Sequence, residues 1–132
     1  MTEQSKQKNR EAAKRYYYKN RDKKIALAAI QCQKPRYKYT KYRWGAKERG
    51  LEFKLTFKEF KKYWQKPCYY CGDEIKTIGL DRINNNKGYI KGNIVPCCIS
   101  CNKLKKRLDI ADFLKQIIKI SNNIIKKSLQ SI

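Results

Sequence analysis

The chain has 132 residues, of which 33 are Lys or Arg and 11 are Asp or Glu, so its formal net charge is +22. This charge exceeds what solubility requires and predicts a polyanionic partner, most simply nucleic acid. A membrane surface is the weaker alternative, because the sequence has no long apolar run and no lipidation motif. Histidine is absent, which excludes every mechanism that needs an imidazole base.

Length and cysteine content bound the class of protein further. The length suits one modest domain with an arm. The first residues are polar and charged, so no signal peptide is predicted and we expect an intracellular protein. Six cysteines in a reducing compartment favour metal binding over disulfides.

Residues 1–35 are predicted to form a basic helical arm that binds DNA. Residues 3–31 are rich in helix formers, and proline at position 35 disfavours helix in the residue before it. Alone, this helix would be marginal, but a phosphate backbone could order it. The alternative is a solvated helix without a target. The expected phosphate contacts are Lys14, Arg15, Lys19 and Arg21.

Two further helices and a short extended segment are predicted before the first cysteine pair. The pattern indicates a helix over about 36–49, with Gly50 as its left-handed C-terminal cap. Residues 51–55 alternate apolar and charged side chains and should be extended. Thr56 and Glu59 fit a capping box at the start of the next helix. That helix would bury Phe57, Phe60 and Trp64 and stop at Pro67.

A C-terminal helix is predicted over about 109–128, with Asp109 as its N-cap. An apolar stripe at helical spacing runs along it. This stripe would serve packing or form the face of a homodimer. Its members are Ile110, Phe113, Leu114, Ile117, Ile118, Ile124 and Ile125.

Two Cys-x-x-Cys pairs bracket the segment from residue 68 to residue 101. This spacing lets both thiolates of a pair bind one ion, and two pairs complete a tetrahedral, closed and therefore structural zinc site. Cys97 adjoins the second pair, and we expect it to be a small buried residue outside the site. Two disulfides are the alternative and need an oxidising compartment. The predicted zinc ligands are Cys68, Cys71, Cys98 and Cys101.

The bracketed segment also carries a polar constellation. It predicts strands over 78–83 and 93–96, joined by a turn, and then a helix over about 99–106. Asp81 ends an apolar run, where an uncompensated carboxylate would be costly. Asn102 can lie opposite it, and oxygen ligands of these types suit Mg²⁺ or Mn²⁺. Such an ion can neutralise charge on a scissile phosphate.

Basic residues beside this constellation are candidates for holding DNA. Arg82 and Lys105 could bind flanking phosphate oxygens, Arg82 in a bidentate way. The alternative is a surface ion pair between Asp81 and Arg82, with Asn102 as a helix cap. The residues alone therefore support a nuclease site and a basic zinc-binding module equally.

Several motifs in this chain together resemble those of the HNH endonucleases, also called the ββα-metal or His-Me finger group. They are the two cysteine pairs, Gly-Leu-Asp-Arg-Ile, Lys-Gly-Tyr, Asn93 and Cys-Asn-x-x-Lys. The likeness to small phage and viral members covers about residues 36–115. It implies an α+β fold with a zinc-stapled ββα core at about 68–106, flanking helices and a basic N-terminal helical arm, the nuclease domain being 36–132. It also implies that Asp81 and Asn102 bind the catalytic metal, while Asn93 braces the turn through backbone hydrogen bonds.

One position departs from the common family pattern. The histidine that usually follows the metal-binding aspartate is replaced by Arg82, and arginine is a poor general base because it stays protonated. This resembles the PacI-like branch of the family, in which arginine follows the aspartate and a tyrosine is implicated in activation. Tyr70 matches that tyrosine and Tyr89 is the second candidate. We expect cations such as Arg82 to lower the pKa of Tyr70.

These observations predict a metal-dependent HNH DNA endonuclease that hydrolyses phosphodiester bonds. It would contain structural Zn²⁺ and catalytic Mg²⁺ or Mn²⁺. If the source is viral, it would act in the host cytoplasm or nucleus. The alternative is a catalytically inactive, zinc-containing nucleic-acid-binding protein. A third reading is an accessory protein that uses its C-terminal helix as an interaction module.

Overall fold

The computed structural model describes residues 2–130, which form helices and a small antiparallel sheet. This mixed architecture confirms the predicted α+β class. Among these residues, no helix is both long enough and apolar enough to cross a membrane. The elements in chain order are α1 (Glu3–Gln31), α2 (Pro35–Glu48), α3 (Phe57–Lys61), β1 (Leu80–Arg82), β2 (Ile94–Pro96), α4 (Ile99–Lys105) and α5 (Ile110–Gln130).

Strands β1 and β2 pair antiparallel, with Asp81 opposite Val95. Each strand is three residues long, so both are shorter than the predicted strands over 78–83 and 93–96. Single hydrogen bonds continue the pairing beyond the ladder, since Ile83 N–H donates to the Asn93 carbonyl and Cys97 N–H donates to the Gly79 carbonyl, both at 2.9 Å. The sheet, the turn and α4 therefore form one continuous ββα unit.

The main core joins α2 and α3 to the sheet. Tyr39 packs edge to face against Phe60, which is fully buried, with ring centroids 5.3 Å apart. The Tyr42 hydroxyl accepts a hydrogen bond from Leu80 N–H at 3.0 Å, and burial raises the pKa of this phenol. This bond fixes α2 against β1.

Helix α2 ends in a Schellman motif, as the glycine at position 50 predicted. Gly50 has φ +64°, a conformation that glycine adopts without steric cost. Its N–H donates to the Lys47 carbonyl at 3.0 Å, and Leu51 N–H donates to the Ala46 carbonyl at 2.8 Å. The cap turns the chain from α2 into the extended segment.

Helix α3 begins as predicted but is shorter than expected. The Thr56–Glu59 capping box is present, yet the helix ends at Lys61, and Trp64 lies in the turn that follows. The prediction of one helix up to Pro67 was therefore wrong. Beyond Lys61, the N–H groups of residues 62–64 donate to carbonyls three residues earlier in the chain. Gln65 then adopts φ +54°, and its N–H donates to the Thr77 carbonyl.

The first and last helices contribute little to the core. Helix α1 has no buried residue, and its 29 residues give a length of about 44 Å. Helix α5 begins after Asp109, whose carboxylate accepts from Asp112 N–H at 2.8 Å. It buries Phe113 alone, so most of its apolar stripe is exposed. The homodimer through this stripe stays a prediction.

Candidate active site

Asp81 lies at the centre of β1 and is 5% exposed. Its carboxylate accepts a hydrogen bond from the Tyr70 hydroxyl at 2.7 Å and forms an ion pair with Lys105 Nζ at 3.1 Å. Burial of a lone carboxylate would be costly, and these two donors offset that cost. The carboxylate is thus held in one orientation.

Lys105 is fully buried at the end of α4. Its ammonium donates to the Arg82 carbonyl at 3.2 Å in addition to its contact with Asp81. The sequence analysis placed this lysine on a DNA phosphate, whereas the structure directs its charge inward to the buried carboxylate. The physical reason is that a carboxylate inside the protein requires a nearby opposite charge.

The Lys105→Met variant should be less stable than the wild type by about 3–5 kcal/mol, because it leaves Asp81 buried without its counter-charge. Urea unfolding of the zinc-loaded proteins measures this loss. Lys103→Met, at an exposed position on the same helix, is the matched control and should change stability by less than about 0.5 kcal/mol. Equal stability of the two variants would contradict the structural role of the ion pair.

Tyr70 lies between the sheet and α5. Its ring packs edge to face against Phe113, with centroids 5.5 Å apart. Burial, and then the hydrogen bond to the Asp81 carboxylate, raise the pKa of this phenol well above its usual value. The expected lowering of the pKa by Arg82 was wrong, because the charged group that the hydroxyl contacts is an anion.

Arg82 is anchored to the turn that follows β1. Its Nη1 donates to the Asn85 carbonyl at 2.8 Å and to the Lys87 carbonyl at 2.9 Å. A guanidinium has five N–H donors, and within residues 2–130 the Nε and Nη2 groups have no protein acceptor. The side chain lines a cleft, so these remaining donors can meet an anion.

Asn93 organises the same turn from within and is 5% exposed. Its side-chain oxygen accepts from Asn84 N–H at 2.9 Å, and its Nδ2 donates to the carbonyls of Asn84 at 3.1 Å and Gly88 at 2.9 Å. This is the bracing geometry that the family resemblance implied. Gly88 is required here because a Cβ would collide with the Glu52 carbonyl.

A cleft of about 530 Å³ brings Asp81, Arg82 and Asn102 together. The carboxylate and the amide are oxygen donors of the kind that bind Mg²⁺ or Mn²⁺, so the chemistry of this pair fits such an ion. The sequence analysis missed three basic residues that line the same cleft. They are Arg49, Lys106 and Arg107.

Arg49 enters the cleft from the end of α2. Its Nε donates to the Gly45 carbonyl at 2.8 Å, and its Nη2 donates to the Tyr89 hydroxyl at 3.2 Å. Tyr89, the second candidate for water activation, is 5% exposed and also lines the cleft. The position of Arg49 directly before the capping glycine, at the end of α2, was the available signal in the sequence.

The four cysteines of the predicted zinc site form a compact cluster. Their sulfur atoms all lie within 4.8 Å of one another, and all four are free thiols in the structure. A tetrahedron with zinc–sulfur bonds of about 2.3 Å has sulfur–sulfur edges of about 3.8 Å. The Cys71–Cys98 separation of 3.7 Å matches such an edge. The cluster therefore fits a metal such as zinc.

Cys97 lies outside this cluster, as predicted. Its thiol donates to the Cys98 carbonyl at 3.3 Å, and burial together with the nearby negative groups of Cys68 and Asp81 raises its pKa to about 12. Burial opposes ionisation of Cys68 as well, but backbone N–H groups of the two knuckles lower its pKa to about 6. The sulfur atom of Cys97 is not among the four that lie within 4.8 Å of one another, so geometry separates Cys97 from the predicted ligands.

The predicted DNA-binding residues of α1 do not line the cleft that contains Asp81. Lys14, Arg15, Lys19 and Arg21 are all exposed on α1. Nothing buries them against the cleft within the part of the chain that the structure describes. Their position leaves them open to a polyanion.

Comparison of the sequence with known proteins finds uncharacterized viral relatives, and no family model matches. The chain is 45% identical over 87 residues to the uncharacterized protein R423 of Acanthamoeba polyphaga mimivirus, covering 64% of this chain and 16% of R423. It is 40% identical over 58 residues to an uncharacterized 29.0 kDa protein from the dda-modA intergenic region of Enterobacteria phage T4, covering 39% of this chain and 23% of that protein. The chain thus spans less than a quarter of either relative.

Comparison with solved structures finds the rare-cutting HNH restriction endonuclease PacI. The TM-score is 0.55 at 20% sequence identity, over 72% of this chain and 82% of the PacI chain. The chain has an HNH-like fold. In this HNH-like fold the Asp81-bearing strand, the braced turn and α4 are contiguous, and the sulfur cluster closes the unit at its ends.

Proposed function

We propose that the chain is a metal-dependent HNH endonuclease that hydrolyses phosphodiester bonds in double-stranded DNA. The observation that carries this proposal is the convergence of a buried carboxylate, an amide and guanidinium donors in one cleft of an HNH-like fold. The net charge of +22 and the exposed basic helix α1 support DNA as the partner. An intracellular site of action, in a host cytoplasm or nucleus, is part of the proposal and is supported by the viral relatives.

Each residue of the cleft would have a distinct role in catalysis. Asp81 and Asn102 would hold Mg²⁺ or Mn²⁺, which when bound neutralises charge on the scissile phosphate. The free N–H groups of Arg82 would bind that phosphate and stabilise its growing negative charge. Asn93 keeps in place the turn to which the Arg82 side chain is anchored, and Lys105 orients the Asp81 carboxylate. Structural Zn²⁺ would be held by Cys68, Cys71, Cys98 and Cys101.

Tyr70 is assigned a positioning role, in place of the general base that the family resemblance suggested. Its hydroxyl donates to Asp81, so it orients the carboxylate. Tyr70→Phe should therefore slow cleavage by about tenfold, less than the hundredfold or more that loss of a general base costs. Single-turnover nicking at saturating Mg²⁺ measures the effect. A loss greater than a hundredfold, with zinc content and thermal stability unchanged, would return the role of base to Tyr70.

Nicking of a supercoiled plasmid with and without Mg²⁺ tests the proposed activity directly. We expect nicking in Mg²⁺ or Mn²⁺ and none in metal-free buffer. Absence of nicking on varied DNA substrates, with intact zinc and DNA binding, would favour the alternative of a catalytically inactive, zinc-containing nucleic-acid-binding protein.

The arm provides a separate prediction about binding. Replacing Lys14, Arg15, Lys19 and Arg21 by glutamine should reduce the slope of log K against log salt by about three to four units, since each phosphate contact contributes about 0.9. Fluorescence anisotropy with duplex DNA in magnesium-free buffer measures this slope. Four substitutions elsewhere control for net charge alone, and an equal change in that control would refute the contact assigned to α1. The control positions are Lys58, Lys115, Lys119 and Lys126, all exposed.

A further inference from the structure

We propose that Trp44 on α2 is a stacking platform for an unpaired nucleobase, in a hollow that adjoins the candidate active site. Trp44 is 63% exposed, whereas Tyr39 and Tyr42 of the same helix pack against the core. Within residues 2–130, no other aromatic ring pairs with its indole. A large aromatic side chain left open in this way is available to a ligand with a flat face.

The hollow around Trp44 has the charge that a nucleic acid requires. It has a volume of about 440 Å³, and Arg43 and Lys47 contribute its charged groups. None of its lining residues is acidic, and Thr40 adds a hydroxyl. Aromatic rings flanked by cations are the means by which proteins hold single-stranded nucleic acid, the ring binding a base and the cations binding the backbone. This charge identifies the occupant as DNA in preference to an apolar protein surface.

The position of the hollow connects it to the cleft that contains Asp81. Leu51 lines both concavities, so a strand whose phosphate lies in the cleft passes the hollow within a short distance. The inference rests on the proposed function in this one respect, that DNA enters the cleft. Helix α2 would thus contribute a contact from outside the ββα unit.

The chemistry of stacking specifies the substrate further. Both faces of a base inside a regular duplex are covered by its neighbours, so an indole can stack only on a base that is unpaired or unstacked. The hollow therefore predicts a preference for DNA with an unpaired base beside the cleavage position, such as a single strand or a duplex with a short internal loop.

Tryptophan fluorescence tests this proposal, because the chain contains only two tryptophans, Trp44 and Trp64. In the Trp64→Phe variant, titration with single-stranded or looped DNA in magnesium-free buffer should quench the emission of Trp44, and a fully paired duplex should quench it much less. In the Trp44→Phe variant, the remaining emission of the half-buried Trp64 should respond to neither DNA. The second variant leaves the core intact, so the comparison with wild type stands even if Trp64→Phe folds poorly.

Affinity measurements complete the test. Trp44→Ala should weaken binding of looped DNA by about fivefold to a hundredfold and leave duplex binding nearly unchanged. Tyr37→Ala removes an exposed ring of α2 that lies outside the lining of the hollow and is the matched control. Unchanged Trp44 emission at saturating looped DNA, or an equal loss in the Tyr37→Ala variant, would overturn the proposal. Quenching without any cleavage activity would refute the proposed nuclease while supporting the stacking platform. Cleavage without quenching would refute the stacking platform while supporting the nuclease.

Discussion

Asp81→Asn should lower the rate of DNA cleavage by at least about a thousandfold. The substitution removes the anionic ligand expected to hold the catalytic metal, and the charge stabilisation that such a metal supplies amounts to several kcal/mol, with each 1.36 kcal/mol equal to a tenfold change in rate. The amide is isosteric with the carboxylate and keeps an oxygen toward Tyr70 and Lys105. Single-turnover cleavage, DNA anisotropy and zinc content of the purified variant together measure the effect.

The choice of asparagine over alanine follows from the structure. Asp81→Ala would leave the buried ammonium of Lys105 with neither a counter-charge nor a hydrogen-bond acceptor on this side chain. Asparagine removes the counter-charge but keeps the acceptor, so it should lower stability less than alanine does. Asn86→Ala, at an exposed position in the adjoining turn, controls for general effects and should retain activity. Cleavage by Asp81→Asn within tenfold of wild type would refute the site.

Loss of a cluster cysteine should have the largest effect on stability. Zinc binding to comparable small sites contributes about 10–16 kcal/mol, which is as large as the whole stability of a typical domain. Cys101→Ser should therefore bind zinc weakly and lose the ordered structure of residues 68–105. Cys32→Ser, outside the cluster, is the control and should match wild type.

Elemental analysis and near-ultraviolet circular dichroism measure these two consequences. The near-ultraviolet signal is the appropriate one, because α1 and α5 can stay helical when the centre of the chain unfolds. A chelator strong enough to strip zinc should reproduce the effect in the wild type. Freshly purified native protein without zinc would contradict the assignment of the cluster.

Sequence patterns predicted the parts of the fold that depend on local spacing. The Cys-x-x-Cys spacing selected Cys98 over Cys97, and the structure places the Cys98 sulfur in the cluster. The glycine at position 50 marked the end of α2, since a left-handed residue there suits few other side chains. Such signals lie within a few residues of the feature that they determine.

Features that depend on distant partners were not predictable in this way. Lys105 lies in a run of lysines that reads as solvent-exposed, and its partner Asp81 is 24 positions away in the chain. The shift in the pKa of Tyr70 was predicted with the wrong sign, because burial, and then the hydrogen bond to the same buried carboxylate, raise this pKa. Trp64 was assigned to a helix because its spacing is helical, although Gln65 and Thr77 form a tertiary bond that ends the regular structure.

The cysteine cluster joins the two ends of the segment 68–101, so this segment can complete its fold only late in translation. Asp81 is synthesised before Asn102 and Lys105. The first cysteine pair cannot complete the cluster until the second pair has been synthesised, and Cys71 and Cys98 are 27 positions apart. A growing chain that ends before Cys98 contains the basic arm but lacks Asn102 and Lys105, so it cannot assemble the cleft. A premature stop before Cys98 would accordingly yield a fragment that keeps the basic helix α1 and lacks the candidate active site.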